Sequence, residues 1–241
     1  MSAIEANLQA VHQRISVAAG QCGRPAMTIT LLAVSKTRSA SDVLTAVLAG
    51  QRDFGENYAQ EGVDKMLALH ALTKPGSLPE NAVLVWHFIG PLQSNKTKLV
   101  AEHFGWAHSV ERLKIAERLS AQRPEKLPPL QVCVQVNVSA EASKSGCPPE
   151  AAPELCQAIA VLPRLKLRGL MCVPAPARDF SAQCRPFTQL RQLFMEIKAQ
   201  CPMLDTLSMG MSDDLEAAVQ SGSTLVRVGS AIFGERLNGK K

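Results

Sequence analysis

Aromatic side chains are scarce in this sequence and make up 4% of its 241 residues. Surfaces that bind sugars or nucleic-acid bases usually stack them on aromatic rings, so this scarcity argues against both. Long basic runs are also absent, since none exceeds the Lys240-Lys241 pair. The 26 basic and 21 acidic residues, which give a net charge of +5, are spread along the chain. We interpret this charge as a contribution to solubility and predict no nucleic-acid partner.

Metal-binding and export signals are missing as well. The seven cysteines include no C-x-x-C pair, and their odd number fits neither a disulfide framework nor a zinc site. Cys133 and Cys172 lie in apolar, strand-like runs, where a cysteine is usually a small core residue. The first residues contain an acid and no continuous apolar stretch, unlike a signal peptide, and no segment is long enough to cross a membrane. These absences predict a cytoplasmic protein with neither a bound metal nor a membrane partner.

The pattern that is present is an alternation of short β-branched runs with helical stretches. Apolar residues at helical spacing over residues 4–15 predict a helix before the first strand. Eight strands are predicted, at 28–35, 53–55, 84–90, 106–110, 131–139, 166–173, 206–209 and 225–229. Helical stretches are predicted between them, at 43–48, 59–72, 95–103, 112–123, 150–162, 182–200 and 214–220.

Regular alternation of strands and helices is typical of a parallel sheet joined by crossover helices. It fits either an open doubly wound sheet or a closed (β/α)₈ barrel. The number of strands and the chain length favour closure, and no G-x-G-x-x-G follows the first strand, which argues against a dinucleotide fold. Since no linker divides the chain, we predict an α/β protein with a single TIM-barrel domain over residues 1–241.

Polar residues occur where several predicted strands end. Lys36 follows the apolar first strand, at the end where the active sites of such barrels lie. A lysine there is most simply a solvated surface charge, but it could instead face a pocket and react there. Other polar residues interrupt or follow later strands, namely Glu56, Asn57, His87, Asn137, Ser208 and Arg227. Each alone has a structural explanation, whereas together on one rim they indicate a site.

The segment Ser208-Met-Gly-Met-Ser212 predicts a phosphate site. Small and hydroxyl residues at a turn from strand to helix expose backbone N–H groups, which bind phosphate. Ser212 has a second interpretation, as the N-cap of the helix that two aspartates then open. The neighbouring eighth strand ends at Gly229-Ser230, and phosphate sites between the loops after strands seven and eight are frequent in this fold. Phosphate contacts are therefore predicted from Ser208, Gly210, Ser212, Gly229 and Ser230.

Arg227 lies in an apolar run and is predicted to be buried, so its guanidinium needs an acceptor. Either an acid at the rim or a ring nitrogen or anion of a ligand would supply one. A lysine amine, a phosphate cradle and a fixed cation around one barrel mouth suggest pyridoxal 5′-phosphate, held as a Schiff base on Lys36. An arginine beside the pyridine nitrogen makes the ring a weak electron sink, which favours holding the cofactor, or at most racemisation. A Schiff base with a phosphosugar, as in an aldolase, is the alternative left open.

Five segments resemble the pyridoxal phosphate homeostasis protein family and span nearly the whole chain. They are Ala33-Val-Ser-Lys36, Phe54-Gly-Glu-Asn-Tyr58, Trp86-His-Phe-Ile-Gly-Pro-Leu-Gln-Ser-Asn-Lys96, Ser208-Met-Gly-Met-Ser212 and Gly222-Ser-Thr-Leu-Val-Arg-Val-Gly229. The resemblance implies a monomeric barrel of the alanine racemase N-terminal type, with the cofactor on Lys36 and Arg227 facing the pyridine nitrogen. We predict that Asn57 and His87, on the same rim, also belong to the cofactor site.

The resemblance further implies a protein that buffers or delivers the cofactor, with apo forms of pyridoxal-phosphate enzymes as candidate partners and no catalytic activity. A small amino-acid racemase is the alternative. Racemisation needs proton donors on both faces of the cofactor, and Lys36 could serve one of them. The candidates for the other face are the single tyrosine, Tyr58, and His87.

Overall fold

Eight parallel strands close into a barrel in the computed structural model, which describes residues 1–73, 83–139 and 145–235. The strands are β1 (Thr30–Val34), β2 (Asp53–Glu56), β3 (Val85–Phe88), β4 (Trp106–Val110), β5 (Leu130–Gln135), β6 (Leu165–Met171), β7 (Thr206–Ser208) and β8 (Leu225–Val228). The sheet closes because β1 pairs in parallel with β8, from Thr30 beside Leu225 to Ala33 beside Val228. The predicted closed barrel is confirmed, and the open sheet is wrong.

Helices follow the strands and form the outer layer. They are α1 (Ala3–Gln21), α2 (Ala40–Leu48), α3 (Ala59–Leu72), α4 (Thr97–His103), α5 (Leu113–Gln122), α6 (Ala152–Ala160), α7 (Phe180–Gln200), α8 (Leu215–Gln220) and α9 (Ser230–Phe233). Helix α1 begins with a capping box, in which the Ser2 hydroxyl accepts from the Glu5 amide and the Glu5 carboxylate accepts from the Ser2 amide. Helix α9 was not predicted, because four residues are too few for a periodic signal.

The largest difference in the position of a strand end concerns β5, which ends at Gln135 rather than at residue 139. Beyond it, the Val136 amide donates to the Met171 carbonyl of β6 at 2.8 Å, and Val136 also forms an isolated bridge with Cys147. The Asn137 amide then donates to the Cys147 carbonyl. Gly146 makes this close return possible, because a Cβ added there would lie 2.7 Å from the Asn137 nitrogen. The β-branched sequence continues through this segment, but after Val136 the backbone hydrogen bond goes to the crossing loop instead of β6.

The core has two parts. The larger lies between the strands and the helices and contains fully buried residues such as Val43, Ile115 and Leu119. The smaller is a cluster of Trp106, Cys133 and Met171. Cys133 and Cys172 are both fully buried, as the sequence predicts.

Within the three described ranges, no helix is long and apolar enough to cross a bilayer. The same part of the chain holds no group of three or more His, Cys, Asp or Glu side chains that could bind a metal ion. The Lys240-Lys241 pair lies outside the described residues.

Candidate functional site

A cleft of about 350 Å³ opens at the carboxyl ends of the strands. It is lined by Val34, Lys36, Thr37, Arg38, Asn57, Ile89, Val173, Met211, Ser212, Asp213, Arg227, Gly229, Ser230 and Gly234. Six of the nine residues predicted from the sequence are therefore brought together, namely Lys36, Asn57, Ser212, Arg227, Gly229 and Ser230. The other three, His87, Ser208 and Gly210, do not line it.

Lys36 lies in the turn between β1 and α2, where its half-buried side chain faces the cleft. The turn is irregular, because the next residue, Thr37, has a φ of 63°. This left-handed conformation is unusual for a β-branched residue. The turn thus places the lysine at a pocket, as the interpretation of a reactive amine requires.

The serine hydroxyls of the cleft lie where the chain leaves β7 and β8. The Ser230 hydroxyl donates to the Ser212 hydroxyl at 3.0 Å, and the Ala231 amide donates to the same oxygen at 3.5 Å. Ser212 is not the N-cap of α8, so that alternative is wrong. The N-cap is Asp214, whose carboxylate accepts the Met211 amide at 2.6 Å. Ser212 is therefore directed towards the start of α9.

Helix α1 lies behind the segments that follow β7 and β8 and makes hydrogen bonds to both. Arg14 donates to the Ser212 carbonyl at 2.9 Å and forms a bidentate pair with Glu216, at 2.6 and 2.8 Å. This hydrogen bonding raises the pKa of Arg14 and lowers that of Glu216. Asn7 donates to the Ile232 carbonyl at 2.9 Å, within α9. A helix that precedes the first strand thus fixes the two loops that end the barrel.

Arg227 projects inward from β8 and is 4% exposed. Its Nη1 donates to the Ser208 hydroxyl at 2.8 Å, and its Nη2 donates to the Cys172 carbonyl at 2.8 Å. Both acceptors are neutral, and no acid forms an ion pair with it in the described ranges. Burial is the main influence on this guanidinium and lowers its pKa. Since it also lines the cleft, it presents a fixed positive charge at the cleft floor.

Below Arg227, a chain of hydrogen bonds passes through the barrel interior. Ser208 Oγ lies 2.8 Å from His108 Nδ1, His108 Nε2 lies 2.9 Å from His87 Nδ1, and His87 Nε2 lies 3.0 Å from Asp53 Oδ1. An arginine can only donate and an ionised aspartate can only accept, so every bond runs from Arg227 towards Asp53. Both rings then carry their proton on Nε2. Burial lowers the pKa of His87 and lowers that of His108 further, which keeps both rings neutral.

This series of hydrogen bonds explains why Ser208 and His87 do not line the cleft, although both were predicted to belong to the site. Ser208 is fully buried beneath Arg227, and its hydroxyl accepts a hydrogen bond from the guanidinium, which it supports from below. His87 points to the amino ends of the strands, where it lines a separate cavity of about 240 Å³ together with Asp53. Both were predicted at the rim because the two-residue alternation of side chains along a strand shows which side chains point inward, but not how deep they lie inside a barrel.

Gly210 connects β7 to the cleft loop without lining the cleft. It has a φ of 95°, and its carbonyl accepts from the Arg227 amide at 2.9 Å. A Cβ added there would lie 2.4 Å from the Cβ of Ala218. Both the backbone conformation and the packing therefore require glycine.

Several lining residues were missed by sequence reasoning. Arg38 is the most informative, because it adds a second cation and donates to the Gly234 carbonyl at 2.5 Å. Its position two residues after Lys36, in the same turn, was the available signal. Ile89 and Val173 form apolar walls, and nothing in their sequence context separates them from ordinary core residues.

A larger cavity of about 680 Å³ lies elsewhere, beside α6. Its lining includes Glu111, Cys147 and Glu154 but none of the predicted site residues. The smaller cleft is the better candidate because it combines an amine, hydroxyl groups and a buried cation, whereas the larger cavity has no comparable set.

The cleft residues fit pyridoxal 5′-phosphate. Lys36 would supply an amine for its aldehyde, and the hydroxyls of Ser212 and Ser230 would supply phosphate ligands. A Cβ added at Gly229 would lie 3.3 Å from the Val34 carbonyl oxygen, so this part of the cleft has room for little more than backbone. The Oδ1 of Asn57 is buried and has no hydrogen-bond partner among the described residues, as expected for an acceptor that a ligand satisfies.

Fold and cleft define an α/β barrel of the alanine racemase N-terminal type, and the family model for the alanine racemase N-terminal domain matches residues 2–237. The pyridoxal phosphate homeostasis protein of Escherichia coli strain K12 is 54% identical over 241 residues, which are 100% of both chains. That of Pseudomonas aeruginosa PAO1 is 56% identical over 236 residues, or 98% of this chain and 97% of its own. The chain belongs to the pyridoxal phosphate homeostasis protein family, as its motifs predict.

Solved structures agree with this assignment. PipY of Synechococcus elongatus, solved with pyridoxal phosphate bound, matches with a TM-score of 0.77 and 33% identity, over 93% of this chain and 100% of its own. Alanine racemase from Corynebacterium glutamicum matches with a TM-score of 0.67 and 14% identity, over 99% of this chain and 63% of its own. At that identity the second likeness establishes the fold alone.

Proposed function

We propose that this protein binds pyridoxal 5′-phosphate as a Schiff base on Lys36 and buffers or delivers it in intracellular cofactor homeostasis. The observation that carries the proposal is the meeting of Lys36, Ser212, Ser230 and Arg227 around one cleft. These residues come from two loops, the first turn of α9 and one strand, so chance proximity is a poor explanation. The relative with the bound cofactor, PipY, supports the same ligand.

Each residue has a distinct part in this binding. The ε-nitrogen of Lys36 attacks the aldehyde carbon, a C=N bond forms, and the aldehyde oxygen leaves as water without any change of oxidation state. Ser212, Ser230 and the backbone at Gly229 hold the phosphate, while Asn57 accepts a hydrogen bond from the ligand. Arg227 faces the pyridine nitrogen and, being unable to accept a proton, leaves that nitrogen unprotonated. The bound cofactor supplies an electron-poor ring, which this arrangement keeps weakly reactive.

The positions of Tyr58 and His87 favour a carrier over a racemase. Tyr58 is 60% exposed and His87 lies in the barrel interior, and neither lines the cleft. Both candidates for a proton donor opposite Lys36 are thus away from the ligand, which supports binding without catalysis. As part of the same proposal, the protein is a cytoplasmic monomer, and apo forms of pyridoxal-phosphate enzymes receive the cofactor from it.

The test is the visible absorption spectrum of the protein with added pyridoxal 5′-phosphate, compared with those of Lys36→Ala and Lys98→Ala. Lys98 is 70% exposed and outside the cleft, so it is a matched control. We expect a Schiff-base band in the parent and the control that is missing from Lys36→Ala. Absence of the band from the parent would refute the proposal and return Lys36 to the aldolase interpretation. Deuterium uptake at the α-carbon of added amino acids would identify a racemase instead of a carrier.

A further inference from the structure

Lys36 is held from both sides by a buried group of side chains that the proposed function leaves unexplained. This group, the Lys65 cluster, consists of Ser35, Glu56, Glu61 and Lys65. Lys65 is 4% exposed and Glu56 is fully buried. Lys65 Nζ donates to the Ser35 carbonyl at 2.6 Å, to Glu56 Oε1 at 2.6 Å and to Glu61 Oε1 at 3.0 Å. Three acceptors are as many as an ammonium group has N–H bonds, so its donors are all used.

The cluster makes hydrogen bonds to both peptide groups that flank Lys36. The Ser35 carbonyl, which belongs to the preceding peptide, accepts from Lys65, and the Ser35 hydroxyl donates to Glu56 Oε1 at 2.6 Å. The Thr37 amide, which belongs to the following peptide, donates to Glu61 Oε1 at 2.5 Å. Since Lys65 also contacts Glu61, a single ammonium group links the restraints on the two sides of Lys36.

The hydrogen bond at the Thr37 amide holds this residue in a backbone conformation that threonine rarely adopts. A φ of 63° is disfavoured for a β-branched residue, so the turn needs support from outside its own sequence. Glu61, on α3, provides it through the Thr37 amide. Without this hydrogen bond the turn after Lys36 would relax towards a commoner backbone conformation, and the lysine side chain would project from a different position.

Stability alone does not account for the cluster. Removing an ion pair from water is unfavourable, and apolar replacements of buried pairs are often neutral or stabilising. Burial raises the pKa of Glu56, while Lys65 opposes the shift, and Glu56 Oε2 has no partner among the described residues. The main-chain contacts of this cluster are made instead to the two peptide groups that flank Lys36.

We propose that Lys65 is a positioning residue which, with Glu56 and Glu61, fixes the main chain at Lys36 so that its amine meets the aldehyde of a ligand anchored by its phosphate. The inference rests on the proposed function. In this proposal the cluster holds the Lys36 nitrogen close to the aldehyde carbon of the ligand, which increases the effective concentration of the amine at the aldehyde.

The test separates Schiff-base formation from the rest of ligand binding. Pyridoxine 5′-phosphate has the same ring and phosphate but an alcohol in place of the aldehyde, so it cannot react with Lys36. We expect Lys65→Met to weaken binding of pyridoxal 5′-phosphate by about tenfold or more, the effect of losing charged hydrogen bonds. Binding of pyridoxine 5′-phosphate should stay within about twofold of the parent. Both are measured by titration calorimetry, with the exposed Lys98→Met as the matched control.

A second variant covers the case in which Lys65→Met, with Glu56 left unpaired, fails to fold. Glu61→Ala keeps the pair of Lys65 with Glu56 and removes the acceptor of the Thr37 amide together with one of the three acceptors of Lys65. The Glu61 side chain is 30% exposed, so its removal leaves no buried charge unpaired at that position. We expect the same selective loss from it, with a thermal transition by circular dichroism to show that it is folded. Folded variants that bind both ligands like the parent, or lose both equally, would overturn the positioning role alone. A parent without a Lys36-dependent Schiff-base band would overturn the proposed function as well.

Discussion

Acid should destabilise this protein through the histidine pair inside its barrel. His87 and His108 are 1% and 0% exposed, and both nitrogens of each ring are engaged. Burial lowers the pKa of both, and the guanidinium of Arg227 adds to the effect on His108. The unfolded chain therefore binds more protons than the folded one below a pH of about 6.5, the ordinary pKa of histidine. The free energy of unfolding must then fall as the pH drops below that value.

The size of the effect follows from linkage. A histidine that stays neutral in the folded protein and titrates normally in the unfolded chain removes about 2 kcal/mol of stability between pH 7 and pH 5. Two such rings remove at most about 4 kcal/mol, which is a large part of the stability of an ordinary domain. The hydrogen bond of His87 to Asp53 opposes the shift of its pKa, so His108 should account for the greater share.

The assay is urea unfolding of the parent, His108→Gln and His103→Gln at pH 7, 6 and 5, followed by circular dichroism. His103 is exposed at the end of α4 and serves as the control. We expect His108→Gln to lose about 2 kcal/mol less than the parent between pH 7 and pH 5, and the control to match the parent. Glu56 and Asp214, whose pKa values are raised by burial, are common to all three proteins and cancel in the comparison. Parallel pH profiles for the parent and His108→Gln would refute the reasoning.

Two further predictions concern the loops that build the cleft. Arg14→Ala removes the donor to the Ser212 carbonyl, so binding of pyridoxal 5′-phosphate should weaken by about three- to tenfold. Binding of pyridoxal, which lacks the phosphate, should not change. Equal losses for the two ligands would contradict a role of Arg14 at the phosphate. Gly90→Ala would place a Cβ 2.0 Å from the Asn57 carbonyl oxygen. It should destabilise the protein by about 3 kcal/mol in urea unfolding, while Gly20→Ala, with no atom within 4 Å, should not destabilise it, and an unchanged midpoint for Gly90→Ala would contradict the packing.

The sequence predicted the barrel well because its signals are local and repeated. Each strand carries its own β-branched run, and each crossover helix its own apolar spacing, so eight weak signals agree on one architecture. Errors concentrated where the local pattern and the hydrogen bonds diverge. The apolar run continues past Gln135, but from Asn137 onwards the backbone bonds to Cys147 instead of β6.

The cleft was predicted in part for the same reason. Lys36, Arg227 and the serines of the last loops follow strand ends, and strand ends of a parallel barrel meet on one rim. His87 and Ser208 also follow this rule in sequence, but they lie inside the barrel, bonded to each other through His108. Depth along the barrel axis depends on strand tilt and stagger, which a linear pattern does not record.

Fold class and family could be predicted from the amino-acid sequence, since periodicity, strand count and short motifs are properties of neighbouring residues. Which polar groups support the cleft from behind depends on the tertiary structure. Lys65 reaches the carbonyl of Ser35, thirty residues earlier, and Arg14 reaches Ser212 across 198 residues. Such contacts arise because closing the barrel brings α3 beside the end of β1, and α1 beside the last loops. No spacing along the chain encodes that proximity.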